Sequence, residues 1–420
     1  MVKTVSSNRS GIKNHPHKRR DFRSYFSVAK DGVITGAADN DPSNIGTFAQ
    51  TGASTGFTLL WLVALTTPLA IAIEQTSARV GVATRQGLSA VIRKYCGPKW
   101  AIAVGLIVLI CNTITVGADI AAVSEITGVL TGIQWEWFVL PLAILLSALL
   151  IGGSYAVISR YLLIVSLALL SYIATALVVK IDIVTLVDQI WPLHLNGPLM
   201  FALIASSILG TVITPYVIFW QTDAEVEAKA TFKDLAKENV GVVMGFVYTT
   251  VIAIAILMVA ASAFGGSTLI NSTTEAARML HPIAGKWAFL LFAIGIIGSG
   301  LVGIPVLAAS TAYAGAEALG WKVGLNQHVA KARGFYSIMI GAILVSVLLV
   351  FTHIPPMAML VYTGVINSVF TPILIGILLW LANNRKVMGR HTNTLWLNLG
   401  GVATIIAMLA FDILLLSKLL

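Results

Sequence analysis

Eleven apolar runs, each about the 20 residues a helix needs to cross a bilayer, follow one another along the 420-residue chain. They cover roughly 30–54, 57–78, 100–127, 136–152, 157–179, 200–221, 240–264, 285–314, 335–352, 357–382 and 395–417. Two of them are interrupted. In the first, Gly36-Ala37-Ala38-Asp39-Asn40-Asp41-Pro42-Ser43-Asn44-Ile45-Gly46 sets two carboxylates, two carboxamides and a proline between hydrophobic flanks. Such a stretch cannot continue a lipid-exposed helix, because each unsatisfied backbone group in hydrocarbon costs several kcal/mol. In the sixth, Gly210-Thr211-Val212-Ile213-Thr214-Pro215-Tyr216 carries a proline, which removes a donor and clashes with the preceding turn. Pro215 alone would read as an ordinary kink. Paired with the break five spans earlier, it marks corresponding positions of two halves, where a transporter places its binding site. The pattern predicts an all-α integral membrane protein of eleven spans. A basic tail over 1–29 precedes a transporter domain over 30–420. An inverted five-plus-five repeat spans about 30–180 and 200–382, with a peripheral helix near 395–417.

Composition agrees. Charged residues make up 11% of the chain, under half of the roughly 25% of soluble proteins. The net charge of +9 does not point to nucleic acid, because the charges sit in short loops between apolar runs. With the tail inside, 23 Lys and Arg face the cytoplasm and only Lys180, Arg278, Lys286 and Lys418 lie opposite. That bias predicts a multi-pass protein of a bacterial-type inner (plasma) membrane, with a cytoplasmic N-terminus and an outside C-terminus. The tail, with Lys13, Lys18, Arg19, Arg20 and Arg23, lacks the apolar core and cleavage site of a signal peptide. His15 and His17 in it read as solvated rather than metal-binding. Cys96 and Cys111 form no paired motif, so neither a disulfide nor a thiolate metal site is expected.

The residues around the first break resemble the Nramp family of divalent metal transporters. That family carries Asp-Pro-Gly-Asn in span 1, and this chain carries Asp41-Pro42-Ser43-Asn44. The similarity continues through Gln50-Thr51-Gly52-Ala53-Ser54, Leu59-Leu60-Trp61 and Ser77-Ala78-Arg79-Val80-Gly81-Val82-Ala83-Thr84. It returns at Gly117-Ala118-Asp119-Ile120-Ala121 in span 3 and Lys386-Val387-Met388-Gly389 after span 10, so it covers most of the chain. The resemblance implies an inverted-repeat fold and alternating access. It also implies a metal site built from the span 1 Asp and Asn, a span 6 backbone carbonyl and a span 6 methionine. Those positions here are Asp41, Asn44, Thr211 and Thr214.

The departures carry as much information. The family's span 6 motif is Met-Pro-His, and here it is Thr214-Pro215-Tyr216. A thioether favours softer transition metals, whereas carboxylate, carbonyl and water suit Mg²⁺, Ca²⁺ and Mn²⁺. Mg²⁺ dehydrates reluctantly, and a small threonine leaves room for its waters. In this the chain is similar to the Nramp-related magnesium transporters, a divergent branch. The family's span 6 histidines are Tyr216 and Gln221 here, and its span 3 glutamate is Ala122. Those groups resemble a proton relay in the family, and histidine is the side chain that titrates unperturbed near neutral pH. Asp119 matches the family. Glu125 follows at i+6, about 9 Å along the helix, and could complete a remnant proton path.

Other intramembrane polar residues read two ways. Asp39 either helps draw a dication by electrostatic focusing or caps the broken half-helix through backbone donors. Glu74 reads as a gate or structural residue paired with Arg79. Asp223, Glu225 and Glu227 form either an acidic exit or a solvated loop with Lys229 and Lys233. Asp412 is expected to find a neighbour or the interface. The family's polar residue early in span 10 falls on Gly364, and Asn367 one turn later is a candidate replacement.

The reading is a secondary transporter, not an enzyme, importing a hard dication (Mg²⁺, with Mn²⁺ tolerated) by alternating access. No cofactor beyond the transported ion and no nucleic acid is implied, and a monomer suffices. The alternative is a proton-coupled Mn²⁺/Fe²⁺ symporter. The membrane potential is worth about 4.6 kcal/mol per 100 mV to a charge of +2. That supports roughly 10³-fold accumulation without a proton. An amino-acid carrier of the same architecture is disfavoured, because Asp41 in the break repels the substrate carboxylate. No nucleophile–base set suggests catalysis.

Overall fold

The computed structural model describes residues 34–179, 183–189, 198–266, 268–270, 272–279, 281–352 and 354–419. The basic tail over 1–29 lies outside them. Among the described residues every apolar run falls mainly on helix. The first is broken into α1 (residues 34–38) and α2 (Pro42–Thr55). Then come α3 (Leu60–Thr84), an amphipathic α4 (Leu88–Tyr95), α5 (Pro98–Thr131) and α6 (Glu136–Gly152). The fifth run is α7 (Tyr155–Val165) and α8 (Leu170–Val178), joined by a 3₁₀ turn over Ser166–Leu169. A short α9 (Ile183–Gln189) precedes the second broken run, α10 (Pro198–Val212) and α11 (Pro215–Glu227). The rest are α12 (Leu235–Phe264), α13 (Thr273–Met279), α14 (His281–Leu319), α15 (Arg333–Val350), α16 (Pro356–Asn383), α17 (Arg385–Met388) and α18 (Leu395–Leu419).

Eight spans among the described residues are long and apolar enough to cross a bilayer, counting α10 and α11 as one. Large apolar side chains point outward on them, for example Leu177, Leu348 and Ile413, as lipid-facing surfaces require. The broken helices are different. In α2 every residue from Pro42 to Ala53 is buried, and α11 is buried from Pro215 to Glu225. They are therefore the axis around which the other helices pack.

Glycine makes that packing close. A Cβ on Gly36 would collide with the backbone of Gly245 in α12. One on Gly210 would strike the Gly364 carbonyl, and one on Gly364 would meet the Ser207 hydroxyl, so α10 and α16 touch backbone to backbone. In hydrocarbon, where apolar burial no longer discriminates, such close packing is a main source of helix association. Asp412 of α18 accepts from Ser206 and from Ser368 (2.9 Å), which ties the peripheral helix to α10 and α16.

Candidate metal centre

Two prolines open the two helices in the same way. In a continuous helix the N–H of residue 42 would reach the Ala38 carbonyl, and that of residue 215 would reach Thr211. Both residues are proline and have no N–H. Each break therefore frees a carbonyl four residues upstream. The Ala38 carbonyl is claimed by the second broken helix, since the Tyr216 hydroxyl donates to it across 3.0 Å. The Thr211 carbonyl, in the last turn of α10, lacks that helical donor.

Asp41 caps α2. Its Oδ1 accepts the Asn44 N–H at 2.8 Å, and its Oδ2 accepts from Tyr216 Oη at 3.2 Å. Asp39 does not play the capping role expected as one alternative: its Oδ2 faces Asn44 Nδ2 at 3.4 Å, and its Oδ1 has no partner. The reason is register. The first turn of a helix is capped by the residue just before it, and α2 starts at Pro42. Asn44 turns its amide nitrogen to the Asp39 carbonyl, which leaves Asn44 Oδ1 without a donor. Thr214, the residue before α11, likewise holds a bare Oγ1.

Asp41, Asn44, Thr211 and Thr214 are all at most 3% exposed. Leaving a buried acceptor unpaired costs about 1–3 kcal/mol. These four residues offer oxygen atoms only, at the ends of two broken helices, with no thioether among them. Among the described residues no three acidic, histidine or cysteine side chains converge tightly enough to cage a bare ion.

The surrounding helices brace the breaks. Gly303 of α14 lies against Asp41, where a Cβ would meet the Asp41 Cβ. Ser310 of α14 donates to the Tyr216 carbonyl at 2.9 Å. Asp119 of α5 accepts from Ser43 twice, from N at 3.0 Å and Oγ at 2.7 Å, and keeps a bare Oδ2. Asn367 of α16 is buried with an unpartnered Oδ1.

The remaining candidates make contacts at the two ends of the bundle. Toward the basic loops, Thr35 of α1 donates to Gln221 of α11 at 2.7 Å, and Gln221 donates to Glu225 at 2.8 Å. At the opposite end, Glu125 caps the short helix α13 by accepting from Thr273 N at 3.1 Å and from the Thr273 hydroxyl. Gln50 of α2 accepts the Ile270 N–H at 3.0 Å beside it. Glu125 thus engages a loop helix rather than Asp119. Glu74 is not paired with Arg79. Arg79 donates to the carbonyls of His391 and Thr392, and Glu74 is buried with a bare Oε2. Five helical residues turn the two side chains to different faces. The Thr35–Gln221 contact and the proline-freed Ala38 carbonyl escaped the sequence reading, although the proline register alone points to the second.

A bundle with two facing helix breaks around a buried, oxygen-rich centre is the architecture of inverted-repeat membrane transporters. The fold agrees. A mutant of the Eremococcus coleocola manganese transporter superposes with a TM-score of 0.76 at 15% identity, covering 95% of this chain and 87% of that one. The nucleobase-cation-symport-1 family transporter Mhp1 superposes at 0.62 with 14% identity, covering 93% and 88%. A sequence model of the family described as natural resistance-associated macrophage protein-like (Nramp) matches residues 32–418. The chain belongs to that family of membrane transporters and is not an enzyme. Among its relatives, the divalent metal cation transporter MntH of Verminephrobacter eiseniae is 24% identical, over 96% of this chain and 91% of its own length. The MntH of Yersinia pestis is 30% identical over 67% and 71%.

Proposed function

We propose that this chain imports a hard divalent cation, Mg²⁺ with Mn²⁺ tolerated, by alternating access driven mainly by the membrane potential. The observation that carries the reading is the pair of bare buried oxygens, Asn44 Oδ1 and Thr214 Oγ1, at the two breaks, with threonine where a thioether would select softer metals. The relatives are divalent metal cation transporters, which supports the cargo class. In this reading Asp41 supplies the charge, and Asn44, the Thr211 carbonyl and Thr214 complete an incomplete shell that the ion finishes with water. The excess of Lys and Arg in one set of loops supports a cytoplasmic N-terminus. The two repeats, about 30–180 and 200–382, would rock around the fixed site, and a single chain suffices. The Thr35–Gln221 contact closes the cytoplasmic side and the Glu125–α13 contact the outer side.

One observation favours the alternative, a proton-coupled Mn²⁺/Fe²⁺ symporter. Asp119 reaches the first break through Ser43, which would let a proton leaving Asp119 register at the site. Proteoliposome uptake of Mg²⁺ and Mn²⁺, with internal pH recorded together, tests both. Metal entry that follows the imposed potential without acidification is expected. Acidification in step with metal entry favours the symporter, and no uptake of either ion overturns the proposal.

A further inference from the structure

At the end of the bundle that carries the basic loops, a second polar chamber opens. It is a cavity of about 420 Å³ between α11, α14 and the segment that follows α14, lined by Asp223, Glu227, Lys229, Tyr313, Glu317 and Asn326. Two of its carboxylates are buried, Asp223 at 2% and Glu317 at 7% exposure. They converge on one point: a Cβ on Gly87, just before α4, would meet oxygens of both. Glu317 sits at the start of α4, accepting the Ala90 N–H at 3.1 Å and hydrogen-bonding the backbone of Gly87 and Ser89. Glu227 is fully engaged, accepting from Tyr313 at 2.7 Å, Leu325 N at 3.1 Å and Asn326 at 2.6 Å. Asp223, whose Oδ1 is the oxygen facing Gly87, lines the same cavity, and its Oδ2 is buried with no partner.

Two adjacent buried carboxylates repel, and in a low-dielectric setting that repulsion is large. Lys229 lies on the cavity wall. With the start of α4 holding Glu317, the bare Asp223 oxygen and its carboxylate neighbour present a two-carboxylate setting of the kind that binds Mg²⁺, an ion that keeps several of its waters. We propose that this chamber is a second divalent-cation site, holding a hydrated Mg²⁺ or Mn²⁺ between Asp223 and Glu317 with water completing the shell. The ion would tie α11, the inner half of the broken sixth span, to α14, which braces the central site. Filled from the cytoplasm, it would hold the inner half-helix shut and slow import when internal metal is high. Only this last consequence rests on the transport function and orientation proposed above; the binding does not.

The purified full-length chain is titrated with Mn²⁺, and free Mn²⁺ is counted by electron paramagnetic resonance. Two sites are expected in the wild type and one in Asp41→Ala. Asp223→Asn alone should weaken the second site about tenfold or more, as loss of a charged ligand does. Asp223→Asn with Glu317→Gln should abolish it and leave the central one. The proposal is overturned if Asp41→Ala binds no Mn²⁺, or if its remaining site survives the double substitution. If Glu317→Gln disturbs the α4 cap, Asp223→Asn carries the test by itself. In proteoliposomes, preloaded internal Mg²⁺ should slow initial Mn²⁺ uptake at least threefold more in wild type than in Asp223→Asn; equal slowing overturns the regulatory part. A chain that binds two ions but moves none would sink the transport reading and leave this site standing.

Discussion

The Tyr216 hydroxyl sits 3.0 Å from the Ala38 carbonyl and 3.2 Å from Asp41 Oδ2, so one side chain of the second broken helix closes the gap left by Pro42 in the first. Tyr216→Phe removes that donor and keeps the ring. A hydrogen bond to a charged group is worth about 1.5–3 kcal/mol. We expect the maximal uptake rate to fall about tenfold or more while the chain still folds, measured as initial Mn²⁺ flux into proteoliposomes. An unchanged rate would show that the contact holds nothing in the transport cycle.

Pro215→Ala restores the N–H that would reach the Thr211 carbonyl. The sixth span should then wind on through the break and become locally more stable, while uptake falls at least tenfold because a carbonyl ligand is consumed. Amide hydrogen exchange across 211–216 together with flux checks this. Faster exchange with retained flux would contradict it.

Thr214→Met replaces a buried bare hydroxyl by a thioether. Selection should move toward Cd²⁺ and Mn²⁺ over Mg²⁺, by about tenfold in the ratio of uptake rates. Competition between labelled Mn²⁺ and each other metal measures it, and an unchanged order would argue against an all-oxygen site.

Asp119→Asn keeps an acceptor for Ser43 but cannot exchange a proton. Potential-driven uptake should stay within about threefold, in keeping with the small effect of exchanging one acceptor for another. The internal pH should be flat in both proteins. If wild-type uptake acidifies the lumen and the variant's does not, Asp119 is the coupling group.

Thr35→Val cuts the bond to Gln221 that joins α1 to α11. The inner closure should loosen, raising the labelling rate of a cysteine placed at Thr214 about three- to tenfold, the change expected for one lost hydrogen bond. No gain in labelling would place the inner closure elsewhere.

The sequence by itself determined the all-helical membrane class and the two breaks, because both follow from local chemistry, and its motifs carried the family. Twenty apolar residues in a row have one stable form in lipid, and a proline removes its N–H wherever it stands. Asp41, Asn44, Thr211 and Thr214 came instead from the resemblance to the family, position by position. Tertiary structure decided which group takes which partner. Glu74 and Arg79 are close in sequence, yet Arg79 reaches the loop carbonyls of His391 and Thr392. Glu125 caps α13, and Asp223 meets Glu317 nearly a hundred residues away. Hydrogen-bond partners are fixed by distance in space, and only the packed bundle sets those distances.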